Sequence, residues 1–94
     1  MHIINYKANQ TIVEARDDAG KPSFTALLSY GVPQCVILHK EGLNLVTTKR
    51  YSNTTNKHRN AYVRDMMPSQ FTTIEATPAE IQEITGLETA SSRL

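Results

Sequence analysis

Turn signals cut the first half of this chain into pieces that suit strands and little else. Asp17-Asp18-Ala19-Gly20-Lys21-Pro22 reads as a turn, with Gly20 able to take positive φ and Pro22 blocking continuation. Gly31 and Pro33 make a second stop, and Lys40-Glu41-Gly42 a hairpin connection. Between the stops lie short β-branched or apolar runs: HIINYKA over 2–8, TIVEAR over 11–16, QCVILH over 34–39 and LNLVTTKR over 43–50. SFTALLSY, over 23–30, fits a strand or a helix by composition and is read as a strand. In the run that opens at Leu43, period-two alternation puts Leu43, Leu45 and Thr47 on one face and Asn44, Val46 and Thr48 on the other.

The character changes at Tyr51. Ser52, Asn53, Thr54 and Thr55 offer side-chain oxygens that cap a helix, and the spacing predicts that helix over 56–67. Tyr62, Val63, Met66 and Met67 form its expected inward stripe, and Pro68 ends it. FTTIEA, over 71–76, reads as a last strand. Thr77-Pro78-Ala79-Glu80 is a capping box with proline at the first helical position, Gly86 a C-terminal cap, and Ile81, Ile84 and Leu87 the anchoring residues. The expected class is α+β: a small antiparallel sheet of about four to five short strands packed with one or two short helices. One domain spans 1–88, and 89–94 is expected to be a flexible tail.

Composition excludes several classes of function. No apolar run approaches the roughly 18 residues of a membrane span, and the N-terminus lacks the pattern of a secretory signal. The single cysteine, Cys35, excludes an internal disulfide, suits a reducing cytosol, and lies in an apolar strand context that makes a thiol inert. His2, His39 and His58 stand far apart with no Cys or Asp at metal-ligand spacing, and all four glycines are explained by turns or caps. No catalytic set assembles, so neither an enzyme nor a cofactor, metal or small-molecule substrate is expected.

Charge carries the functional signal. The sixteen residues from Lys49 to Arg64 hold five of the ten basic residues (Lys49, Arg50, Lys57, Arg59, Arg64) and no acid. From Asp65 onward there are five acids and one base, while the first 48 residues balance at four against four. Neither Lys57 nor Arg59 has an acid three or four residues on, so intrahelical pairing does not explain them. One reading makes them the wet face of an amphipathic helix. The other makes Lys49, Arg50, Asn53, Asn56, Lys57, His58, Arg59, Asn60 and Arg64 a surface for phosphate and ribose oxygens. The net charge of only +1 argues against a free duplex binder and for docking on a limited patch of a mixed RNA–protein assembly. The acidic last third then either keeps the chain soluble or contacts a basic partner subunit.

The run from Ser29 to Val63 resembles a domain of small bacteriophage proteins. Ser29-Tyr30-Gly31, Pro33 and Gly42 are followed by Tyr51, Ser52, Thr54, Thr55, Lys57 and His58, a likeness covering 23–64. That family has no general assigned activity. In size and one-domain build the chain is also similar to phage anti-CRISPR proteins that act on type I-F surveillance complexes. The resemblance implies an inhibitor that binds a host CRISPR surveillance ribonucleoprotein, Cas subunits and guide RNA, in the host cytoplasm and blocks target DNA. The alternative is a phage accessory or regulatory protein acting on free DNA or RNA.

Overall fold

A computed structural model describes residues 2–49 and 53–87. Six strands form one sheet whose spatial order follows the chain: β1 (His2–Lys7), β2 (Gln10–Arg16), β3 (Pro22–Ser29), β4 (Val32–Leu38), β5 (Leu43–Thr47) and β6 (Thr72–Ala76). Helix α1 (Asn53–Asp65) lies between β5 and β6, and α2 (Pro78–Thr85) follows β6. The α+β class holds, and each run read as a strand forms one, which gives six strands and not four or five. The sheet is mixed, not wholly antiparallel. β1 to β5 meander antiparallel, whereas β6 pairs parallel to β5 from Leu43↔Thr72 to Thr47↔Ala76. The reason is α1: a connection long enough to hold a helix carries the chain back to the end at which β5 began, and the next strand then runs parallel.

Local chemistry fixes each turn. Asp17 Oδ1 accepts from the backbone N–H groups of Ala19 (3.0 Å) and Lys21 (2.9 Å), and Lys40 Nζ meets its other oxygen at 2.7 Å. The Lys40 ammonium, with the Lys21 amide behind it, holds this carboxyl below its ordinary range. Tyr30 and Gly31 join β3 to β4 with φ of 52° and 77°, the two successive positive values of a type I′ hairpin. A tyrosine pays for that conformation where glycine would not, and contacts described below hold it there.

The two faces of the sheet carry separate cores. Val13, Phe24, Ala26, Val36, Leu38, Leu45 and Ala76 pack with Ile81 of α2. Their neighbours along the strands, Ile12, Leu27, Cys35 and Ile37, pack with Tyr62 and Met67. Successive residues point to opposite faces, so α1 covers one side and α2 the other. This sandwiching explains the ambiguity of SFTALLSY: with both faces buried, the alternation that marks a half-exposed strand disappears.

The C-terminal helix is built as its sequence requires. Thr77 Oγ1 accepts from Glu80 N (3.1 Å), Glu80 Oε1 accepts from Thr77 N (3.1 Å), and Gly86, at φ 74°, donates its N–H to Gln82 O (2.7 Å). These backbone and side-chain contacts to Thr77 keep the Glu80 carboxyl below its ordinary 4.5. Its stabilising contribution is therefore present above that value and fades as pH falls through the lowered one. Thr77→Ala should cost about 1 kcal/mol in chemical denaturation at neutral pH and flatten that acid-limb dependence. Of the expected anchors, Ile81 is buried and Leu87 half-buried, but Ile84 is 52% exposed. The buried stripe of this short helix is Ile81 and Thr85, which leaves Ile84 on the flank. No helix among the described residues is long and apolar enough to cross a membrane.

Candidate polyanion interface

Helix α1 starts three residues earlier than expected and has an unusual inward face. Its sequence, NTTNKHRNAYVRD, buries Thr55, Arg59 and Tyr62, spaced four and three residues apart along one side. Tyr62 fills the core expected of it, and burial next to Cys35, Tyr6 and Glu14 raises its phenol. Val63 is half-buried. Met67 is buried but Met66 is 46% exposed, because both lie past the last helical residue, where their N–H groups share the Tyr62 carbonyl.

The same geometry sorts the basic residues. Asn53, Lys57, Asn60 and Arg64 recur at helical spacing and are all exposed, forming a single stripe along the outer side. Lys49 is exposed beyond the end of β5, and Asn56 and His58 are half-buried on the helix flanks. Arg50 lies outside the described residues, as do Tyr51 and Ser52. Arg59 departs from the expectation of an outward base: it is only 8% exposed, because it occupies the middle of the buried stripe. Arg64 donates from Nε and a terminal nitrogen to both carboxylate oxygens of Asp65, at 2.8 and 3.1 Å. That pair lowers the Asp65 carboxyl and raises the Arg64 guanidinium, but it sits in water and contributes little stability. The basic surface is consequently narrower than the charge count of the sequence.

Two stretches far apart in sequence meet under the start of α1. Ser29 Oγ donates to Thr55 Oγ1 at 3.2 Å and lies 2.8 Å from His58 Nδ1. Tyr30 stacks on the His58 ring, centroids 6.3 Å apart and planes 20° from parallel, and its hydroxyl accepts from Asn9 Nδ2 at 3.2 Å. A nucleophilic serine gives its proton to histidine and faces substrate. Ser29 is 1% exposed and out of a substrate's reach, and its contacts seat α1 on the β3–β4 hairpin.

A cleft of about 210 Å³ opens between α1 and the β5–β6 edge, lined by Val46, Thr47, Thr48, Arg59, Asn60 and Glu75. Arg59 donates to the Lys49 carbonyl at 3.4 Å, and its own carbonyl accepts from the Cys35 thiol at 3.9 Å. Burial pushes that thiol up to about 12 despite the Arg59 charge, which fits the inert structural role read from its sequence context. Glu75 belongs to the acidic third yet stands in the same cleft as Arg59, so charge of both signs meets here; Glu80 and Glu83 lie on α2, across the sheet. A smaller cavity of about 140 Å³ sits among Glu14, Arg16, Pro22, Phe24, Thr25 and His39, with His39 Nε2 2.8 Å from Thr25 Oγ1. Among the described residues no group of three His, Cys, Asp or Glu is placed to hold a metal ion.

Sequence reasoning named Asn53, Lys57, Asn60 and Arg64 among nine candidates, and these four share the exposed side of α1. It missed Ser29, Tyr30, Thr47, Thr48 and Glu75. A signal for the first two was present, since Ser29-Tyr30-Gly31 and Thr54-Thr55-x-Lys57-His58 belong to the same motif and meet in space. No curated protein and no solved structure matches the chain. A family model does match residues 1–82, well beyond the motif-bearing segment, and the chain accordingly belongs to the Family of unknown function (DUF8033).

Proposed function

We propose that this protein acts by binding and not by turning over a substrate, and that the outer side of α1 docks on the polyanionic surface of a ribonucleoprotein. The observation that carries this reading is the stripe Asn53, Lys57, Asn60, Arg64, in which neutral amides alternate with cations on one exposed line. Amides and cations at that spacing suit phosphate and sugar oxygens, which position a protein without reading sequence. The narrow basic surface fits a few phosphates within an assembly better than a long duplex, whose binders carry a far stronger positive balance. The finer form of the proposal, taken from the phage resemblance, makes the partner a guide-RNA surveillance complex of a CRISPR system and the outcome a block of target DNA. In that arrangement Glu83 of α2, exposed on the opposite face of the sheet, is available to a basic subunit.

The test is capture of the surveillance complex from CRISPR-bearing cells by the tagged protein, wild type against Lys49→Glu/Lys57→Glu. Arg59 is left intact, because a carboxylate at so buried a position would disturb folding. Capture by the wild type and its loss on charge reversal is the expected result. Capture that survives the reversal, or none by the wild type, rules the proposal out. Steeply salt-dependent retention on plain duplex would instead favour the accessory protein acting on free nucleic acid.

A further inference from the structure

The buried arginine of α1 has more hydrogen-bonding capacity than its surroundings use. A guanidinium carries five donors and stays charged at any pH a protein survives. Arg59 is 8% exposed, makes one long bond to a backbone carbonyl, and enters no ion pair among the described residues. Buried arginine is ordinarily paired, because an unpaired charge out of water is costly. Arg59 opens onto the α1/β6 cleft, so a ligand anion can supply the missing partner. At about 210 Å³ the cleft is smaller than the roughly 300 Å³ at which small-molecule sites begin, so it suits one piece of a larger ligand. The ligand must also accommodate Glu75, an exposed carboxylate in the same cleft that accepts hydrogen bonds and repels phosphate.

An anion with a hydroxyl donor beside it describes the phosphodiester and 2′-hydroxyl of a ribonucleotide. We infer that the cleft is a ribonucleotide subsite, in which Arg59 takes phosphodiester oxygen, Asn60 and Thr48 flank it, and Glu75 accepts the 2′-hydroxyl. The inference rests on the reading that α1 holds a polyanion, and it adds which one. DNA offers Glu75 no hydroxyl and leaves only its repulsion of phosphate, so the same carboxylate that rewards RNA penalises DNA.

Binding of single-stranded U8 and dU8, of equal length and base, tests this by fluorescence anisotropy. The wild type should prefer RNA by about tenfold, the usual worth of one hydrogen bond to a charged group. Glu75→Ala should weaken RNA, strengthen DNA and bring the ratio near one, whereas a merely structural change would move both together. Arg59→Met should abolish the preference, since without the phosphodiester contact the ribose is no longer held against Glu75. Glu75→Ala, at an exposed edge-strand position, decides the matter even where Arg59→Met fails to fold. Equal affinity of the wild type for U8 and dU8 overturns the subsite and leaves the α1 reading standing. Failure to bind either one overturns the subsite, while capture of the assembled complex decides the α1 reading separately. A preference that survives Glu75→Ala or Arg59→Met overturns the subsite.

Discussion

Leu27→Ala should be the most damaging single truncation in this protein, lowering stability by about 3–4 kcal/mol. Leu27 sits mid-strand in β3, is 0% exposed, and joins β2, β4 and α1 through Ile12, Cys35, Ile37, Tyr62 and Met67. Its removal deletes three heavy atoms from a core that the sheet backs on one side and α1 on the other, so collapse around the gap is limited. For a domain of this size total stability is about 5–14 kcal/mol, so the loss takes a large fraction of it. A fall of about 12–25 °C in thermal midpoint is expected by differential scanning calorimetry. The loss also bears on function, because the core that Leu27 fills is the platform that holds α1. A fall of only a degree or two would show that α1 does not pack on this face as described.

The second large effect is on binding. Lys49→Glu/Lys57→Glu should weaken binding to single-stranded RNA by about thirtyfold at low salt, each reversal replacing a modest surface attraction by a similar repulsion. Both lysines are exposed, so the thermal midpoint should stay within the range of ordinary surface changes. The dependence on salt is a separate check. Two or three phosphate contacts on a single strand give a slope of log K against log salt of about −1.4 to −2.1, and the double reversal should bring it to between about −0.7 and zero. Glu83→Lys, on the opposite face, should alter neither quantity appreciably. Equal weakening by Glu83→Lys would mean that binding responds to net charge and not to the α1 stripe.

The contrast between legible and hidden features follows from the range of the interactions. Thr77, Glu80 and Gly86 bond within a few residues of themselves, so their roles could be read from spacing alone. The strands were legible because turn residues punctuate them, and Cys35 because its apolar neighbours are adjacent in sequence. The parallel pairing of β6 was hidden, since the run FTTIEA contains nothing that specifies a partner strand. Arg59 was misplaced because hydrophobic periodicity assigns charged residues to the wet side, while Thr55, Arg59 and Tyr62 form a buried stripe that is mostly polar. Ser29 and His58 are 29 residues apart, and only the fold brings a β-hairpin and a helix start into contact. Glu75 reaches the Arg59 cleft through the same long-range pairing of β5 and β6.

Backbone amide mapping by NMR tests the central claim most directly. Titration of ¹⁵N-labelled protein with U8 should shift the amides of Asn53, Lys57, Asn60 and Arg64, together with Thr48 at the end of β5, and leave α2 in place. Shifts confined to α2 or to β1, or a spectrum unmoved by excess RNA, would contradict the account.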